Sequence, residues 1–169
     1  MSVSTITETT QYLSFKLGEE IFAINVSQVR EILDVIAITK VPQTPDFMQG
    51  VINLRGSVVP VMDMRLKFGM AATVRTVNTC IIVMEVTHGG ESLVLGALAD
   101  SVQEVLDLEP DQIEPAPRIG TRLRKEFIKG MGKHDERFII LLDIDQIFCS
   151  DELDLIGNAF ADNHQDEAA

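Results

Sequence analysis

The sequence predicts an all-β fold with short helices, arranged as two small barrels in a pseudo-repeat. Three observations favour this class. Short β-branched runs bounded by glycine, proline and polar residues recur along the chain, which is typical of closely spaced strands. Long amphipathic helices that alternate with strands, the α/β pattern, are missing. The segment VREILD at 29–34 is echoed as VQEVLD at 102–107, which indicates two copies of one small β unit.

Strands and turns alternate among the predicted elements. The glycine-containing segments LGEE and THGGES each join two strands as a hairpin. Asn25 is a capping residue followed by apolar residues at helical spacing, so a short helix is predicted over 25–33. The predicted strands are 11–17, 20–24, 35–40, 50–54, 57–63, 79–86, 93–98, 102–107 and 138–143.

The repeat sets the expected domain boundaries. Downstream of each echo lies an aliphatic strand ending on aspartate, VVPVMDM at 58–64 and IILLDI at 139–144, and a short helix is predicted after each. We expect a first barrel over about 18–75 and a second over about 76–150, with the N-terminal strand able to pair with either. Closing each sheet removes its aggregation-prone edges. Residues 151–169 are expected to form an acidic helix or tail.

Composition excludes several classes of partner. The formal net charge is −12, so the chain is repelled by phosphate backbones and by anionic lipid surfaces. We therefore predict no nucleic-acid binding and no direct membrane insertion. We expect no secretory leader, and no apolar run in the sequence is long enough to span a bilayer. Cys80 and Cys149 lie among aliphatic residues, which suits buried, reduced thiols and predicts a cytoplasmic protein.

No constellation of residues indicates catalysis. His88, His134 and His164 do not lie at ligand spacing from cysteines or carboxylates. The segment KGMGKH has two spaced glycines but no phosphate-loop or dinucleotide pattern. We therefore predict no enzyme, no metal and no cofactor. A small hydrolase or a nucleotide-binding enzyme is the alternative from another class.

Two features of the sequence, a pair of methionines and a basic cluster, allow two interpretations each. Met62 and Met64 share one strand face, which favours a place in the core over an adaptable binding surface. A basic cluster forms either a solvated loop and helix face or a docking patch for an acidic partner. Its members are Arg118, Arg122, Arg124, Lys125, Lys129 and Lys133.

The stretch GVINLRGSVVPVMDM at 50–64 carries a family likeness. It resembles the CheW coupling proteins of bacterial chemotaxis, whose hallmark is the run G-x-I-N-L-R-G-x-x-x-P-x-x-D. The segments YLSFKLGEEIFAINVSQVREIL, IEPAP and FIKGMGKHDERFIILLDIDQIF resemble other parts of that family. The likeness covers about residues 11–150.

The resemblance implies paired SH3-like barrels without catalytic activity. It implies an adaptor that joins the cytoplasmic tips of chemoreceptors, the methyl-accepting chemotaxis proteins, to the regulatory domain of a CheA-type histidine kinase. The protein would be cytoplasmic and would associate with membrane receptor arrays through these partners. An alternative is the same adaptor role in another chemosensory pathway, such as surface motility.

The resemblance also implies a receptor-binding set. Its residues are Val29, Glu31, Gly50, Asn53, Arg55 and Gly56. Kinase-contacting residues stay unassigned. The two glycines could instead be turn or bulge glycines of a strained barrel.

Arg55 is unusual because it sits in an apolar, β-branched stretch. If its strand is half buried, the guanidinium needs a partner. The resemblance suggests Glu31, on the predicted helix, as the partner in a bidentate pair. Alternatively Arg55 extends its charged end to solvent, or it contacts the partner protein directly.

Overall fold

The computed structural model describes residues 9–42, 44–88, 90–115 and 127–147. Within these ranges the chain forms eleven strands, two 3-10 turns and two short α-helices. The strands are β1 (Thr10–Leu17), β2 (Glu20–Asn25), β3 (Val29–Asp34), β4 (Met48–Leu54), β5 (Ser57–Asp63), β6 (Cys80–His88), β7 (Glu91–Ala99), β8 (Ser101–Leu108), β9 (Ile113–Glu114), β10 (Ile128–His134) and β11 (Arg137–Leu142). The helices are α1 (Met64–Lys67) and α2 (Ile144–Ile147).

The strands form two sheets built on one plan. The central sheet has the order β3-β6-β7-β5-β4, and the terminal sheet has the order β8-β1-β2-β11-β10-β9. Neighbours are antiparallel except β5 with β7 and β2 with β11, which are parallel. Each sheet therefore has an edge strand, one hairpin, a parallel pairing and a second hairpin in the same sequence. The predicted class, mainly β with short helices in a pseudo-repeat, is confirmed.

The sheets do not follow the expected boundary between 75 and 76. The hairpin β1–β2 belongs to the terminal sheet, whereas β6–β7 belongs to the central sheet. The first hairpin of each repeat therefore lies in the sheet whose other strands come from the other repeat: β1–β2 pairs with β8 and β11, and β6–β7 pairs with β3 and β5. The echo identifies equivalent units, but the parallel pairings that decide sheet membership join distant strands and leave no local pattern.

The described parts of the two sheets are not closed by continuous hydrogen-bond ladders. In the central sheet, the segment after β3 reaches β4 through one bridge, in which Thr39 and Val51 exchange hydrogen bonds of 2.8 Å. The predicted strand 35–40 is wrong as a strand, since only this bridge forms there. The bridge nevertheless brings the two ends of the sheet towards each other.

Three apolar clusters hold the molecule together. The largest, the shared core, lies between the sheets. It contains Phe15, Phe22, Phe68 and Phe127 in a row, with the ring centroids of neighbours 5.6 to 6.3 Å apart. Each sheet also has a cluster of its own. The predicted core role of the methionines is confirmed, since Met48, Met62, Met64 and Met84 are all buried.

Cys80 is buried in the shared core, as predicted. Burial raises the pKa of its thiol, because an apolar surrounding disfavours the thiolate. Cys149, the acidic segment 151–169 and most of the basic cluster lie outside the described residues.

The predicted helix 25–33 is wrong beyond its first turn. The Asn25 Oδ1 accepts a hydrogen bond from the Ser27 amide at 2.9 Å, as a cap should, but the 3-10 turn ends at Gln28. The next six residues form β3, in which Arg30, Ile32 and Asp34 alternate outwards. The apolar pattern of this segment is compatible with a helix or with a strand. The backbone hydrogen bonds that β3 makes with β6 stabilise the strand.

A partly buried ion pair joins the two sheets. Arg65 of α1 donates from Nη1 to Asp100 Oδ2 at 2.7 Å, and the same oxygen accepts the Gly18 amide at 2.6 Å. Gly18 lies in the β1–β2 turn of the terminal sheet, whereas Asp100 follows β7 of the central sheet. The side chains of Arg65 and Asp100 are 20% and 24% exposed, so removing one charge leaves the other poorly solvated.

We expect Arg65→Met to lower the free energy of unfolding by about 2 kcal/mol, since it leaves the Asp100 carboxylate without its cation. Arg30→Met is the matched control, because Arg30 pairs with Glu85 at 3.0 Å on an exposed surface. That change should cost less than about 1 kcal/mol. Urea titrations of both variants measure the difference. Equal losses of unfolding free energy in the two variants would show that the Arg65–Asp100 pair stabilises the protein no more than an exposed ion pair does.

Candidate partner-binding site

The predicted receptor-binding residues centre on the tip of the β4–β5 hairpin. Leu54 pairs with Ser57, so Arg55 and Gly56 form a two-residue turn. Their φ angles are +50° and +89°, which is the type I′ geometry that matches the twist of a hairpin. The Asn53 Oδ1 accepts a hydrogen bond from the Gly56 amide at 2.8 Å. Arg55 is therefore presented at a turn, not held in a half-buried strand, and its side chain is 71% exposed.

The expected Arg55–Glu31 pair forms. Arg55 donates from Nη1 to Glu31 Oε1 at 3.3 Å, and its Nη2 contacts Oε2, so the pair is bidentate. This contact raises the pKa of Arg55. Glu31 lies on β3 and not on a helix. Because β3 and β4 are the two edges of the central sheet, the pair links one edge to the hairpin at the other.

The two glycines of the set differ in their reason for being glycine. Gly56 has open space where a Cβ would lie, so it serves the turn through its positive φ. Gly50 is buried, has a φ of +144°, and would place a Cβ 2.2 Å from the Thr39 carbonyl oxygen. Packing against the Thr39 bridge accounts for Gly50 without any partner contact.

Four of the six predicted residues thus come together at the hairpin tip: Glu31, Asn53, Arg55 and Gly56. Val29 lies at the start of β3, partly buried against the shared core. Gly50 lies near the other end of β4.

The structure adds exposed apolar residues that sequence reasoning missed. Val58 is half exposed beside the hairpin tip, and Ile32 is exposed on β3. Val58 stands in a continuous apolar run, which predicts burial on both faces of a strand. The two-residue turn places it on the outer face, and only the register shows this.

One groove gathers residue types that are used in catalysis, but its serine is engaged in the sheet. Ser14, His134 and Asp135 line one groove, a set of residue types that serine hydrolases use. The Ser14 hydroxyl, however, donates to the Glu104 carbonyl at 2.8 Å and accepts from the Glu104 amide, and the residue is only 2% exposed. It fills a bulge between β1 and β8 and is not presented as a nucleophile.

Metal binding and membrane spanning also find no support in the part of the chain that the structure describes. No group of three His, Cys, Asp or Glu residues there could hold a metal ion. Nor does any helix in that part have the length and apolar character needed to span a bilayer.

Comparison with known proteins decides the family. The model of the CheW-like domain matches residues 11–152. The chain belongs to the CheW family.

Relatives in that family resemble the chain over most of its length. The chemotaxis protein CheW of Klebsiella aerogenes is 38% identical and aligns over 88% of this chain and 87% of its own. That of Rhizobium meliloti is 35% identical over 84% and 89%. The crystal structure of the scaffolding protein TtCheW from Thermoanaerobacter tengcongensis superposes with a TM-score of 0.75 at 31% identity, over 85% of this chain and 95% of that one. The resemblance inferred from the 50–64 motif is confirmed.

Proposed function

We propose that this CheW-family protein is a non-catalytic adaptor that couples the cytoplasmic tips of chemoreceptors to a CheA-type histidine kinase. Through these partners it would join membrane receptor arrays. The observation that carries the proposal is the hairpin tip with its bidentate Arg55–Glu31 pair. A bidentate pair fixes two side chains in one geometry, which is what a recognition surface requires.

The repeat supports a role that needs two partners. Ile32 and Val58 are exposed on the central sheet, and their equivalents in the terminal sheet, Val105 and Phe138, are exposed too. Exposed apolar side chains at equivalent positions give each sheet a contact surface of its own. One chain therefore offers one contact surface on each sheet, and the name of the related TtCheW as a scaffolding protein agrees with this.

Charge reversal tests the assignment of the hairpin tip. We expect Glu31→Lys and Arg55→Glu each to weaken binding to a chemoreceptor cytoplasmic fragment on the order of tenfold, since each places two like charges together. The double variant restores the pair in reverse and should recover part of the loss. Calorimetric titration of the receptor fragment measures all three, and a pull-down with the kinase regulatory domain checks that kinase binding persists.

Arg30→Glu is the matched control for Arg55→Glu, because it makes the same change of charge. Arg30 lies on β3 beside Glu31 and pairs with Glu85. The control variant should leave receptor binding within about twofold of the parent. Additive losses in the double variant would assign Arg55 to direct contact with the receptor. Unchanged binding in both single variants would remove the hairpin tip from the receptor surface.

A further inference from the structure

The two sheets share one plan but differ at the tip of the second hairpin. Alignment of β3 with β8 places Glu104 at the position of Glu31, and alignment of the hairpins places Asp135 at the position of Arg55. The backbone at both tips is alike, since Asp135 and Glu136 have φ angles of +50° and +64°. The terminal sheet thus keeps the carboxylate of the pair but has an acid where the guanidinium would be.

A groove of about 330 Å³ opens in the terminal sheet at this place. It lies between β8, the start of β2 and the β10–β11 hairpin, and part of its lining is apolar, from Ile21, Leu106 and Ile139. In the central sheet, Leu54 packs against the core at the position that His134 occupies here. The position that carries an apolar, core-packed leucine in one sheet therefore carries a polar histidine that lines the groove in the other.

The charges around the groove are not balanced within the described part of the chain. No described residue places a cation within ion-pair distance of the Glu104 carboxylate. Asp135 Oδ2 lies 3.3 Å from His134 Nε2, which is an ion pair only when the imidazole is protonated. Arg137 also lines the groove and is the internal cation with which an incoming one must compete.

We propose that this groove binds an arginine side chain presented by a basic segment of a partner protein. The guanidinium pairs with Glu104 as Arg55 pairs with Glu31, and its aliphatic stem packs on Ile21, the apolar lining residue that is not fully buried. The volume lies at the low end of the roughly 300–1,000 Å³ that small-molecule pockets occupy, so it suits one long side chain. The net charge of −12 favours the approach of a basic segment. The proposal does not depend on the adaptor function.

The first test uses a minimal probe, the peptide acetyl-Gly-Arg-Gly-amide, titrated into the ¹⁵N-labelled protein. We expect saturable amide shifts confined to the groove, that is to 103–106, 134–139 and the neighbouring lining residues Ser14 and Ile21, and we expect them to weaken with added salt. The peptide with glutamine in place of arginine should cause no saturable shift. Shifts spread over the whole surface, or equal shifts with the glutamine peptide, would overturn the proposal.

Three variants are expected to change the affinity for the arginine peptide differently: one lowers it, one leaves it unchanged and one raises it. Glu104→Gln should weaken arginine-peptide binding at least about fivefold, because it removes the carboxylate that pairs with the guanidinium. Asp107→Asn is the matched control, with the same change of net charge at an exposed position on the same strand, and it should leave binding unchanged. Arg137→Gln should tighten binding, because it removes the competing cation. Equal losses in the glutamine and asparagine variants would reduce the effect to net charge.

Introducing the turn residues of the first hairpin into the second tests whether an arginine can pair with Glu104 as Arg55 pairs with Glu31. Asp135→Arg combined with Glu136→Gly places the arginine and glycine of the first turn in the second. The new arginine should occupy the groove, so binding of the arginine peptide should be lost. Glu136→Gly alone is the control and should retain binding, because it relieves the left-handed backbone and leaves the groove carboxylates of Glu104 and Asp135 in place. Retained binding in the double variant would contradict the proposal.

Discussion

Gly50→Ala is expected to destabilise the protein by about 3–5 kcal/mol, a large share of the roughly 5–15 kcal/mol by which a typical domain is stable. The added Cβ would lie 2.2 Å from the Thr39 carbonyl oxygen and 2.8 Å from Ile38 Cγ2. A side chain is also strained at a φ of +144°. Thermal and urea unfolding followed by far-UV circular dichroism measure the loss.

Gly56→Ala separates the two causes. Gly56 has a φ of +89° but open space where a Cβ would lie, so this variant should cost only about 1 kcal/mol through backbone strain. A Gly50→Ala protein that stays as stable as the parent but binds the receptor fragment poorly would return Gly50 to the contact surface. That outcome would contradict the packing explanation.

Phe68→Ala is expected to cost about 3–5 kcal/mol, as large-to-small changes at buried aromatic residues do. Phe68 is 5% exposed and stacks on Phe22 of the terminal sheet with centroids 5.6 Å apart. It also lies 6.3 Å from Phe127 and directly follows α1, which extends from the central sheet. The cavity would therefore weaken both sheets at once, and unfolding should stay a single transition.

The lone tyrosine makes this measurable, since the chain has no tryptophan and Tyr12 lies in the terminal sheet. Tyr12 fluorescence and far-UV circular dichroism should give coincident urea transitions in the parent and in Phe68→Ala. Phe138→Ala is the control, because Phe138 is 54% exposed, and it should cost less than about 1 kcal/mol. Transitions that separate in the parent protein would show that the sheets do not share a cooperative core.

Local elements could be predicted where the sequence signal was itself local. Strand β5 coincides with the predicted 57–63, and both glycine hairpins form where predicted. Strand β10 was missed because Gly130 and Gly132 are typical of a turn. In the fold these glycines let neighbours approach, since a Cβ at Gly130 would lie 2.9 Å from the Glu114 carbonyl oxygen. Such close approach depends on tertiary contacts and has no signal along the chain.

The candidate site divides in the same way. The pairing of Glu31 with Arg55 could be predicted from the family likeness, but the exposure of Arg55 could not. The hairpin signals that are strongest in sequence are Asn-Gly and Asp-Gly, so Arg55-Gly56 between the predicted strands 50–54 and 57–63 was not recognised as a hairpin turn. The groove beside Glu104 was missed because its lining comes from segments that are distant in sequence and meet only in the folded sheet.

The exchange of hairpins between the repeats has a consequence for synthesis on the ribosome. The central sheet uses a continuous stretch of chain and can pair as it emerges, whereas the terminal sheet needs the first hairpin and the last strands together. At roughly 5–20 residues per second, β1 and β2 wait on the order of ten seconds for β11. During that time Phe15 and Phe22 have only part of their final surroundings, so this nascent hairpin is the segment on which a chaperone would act.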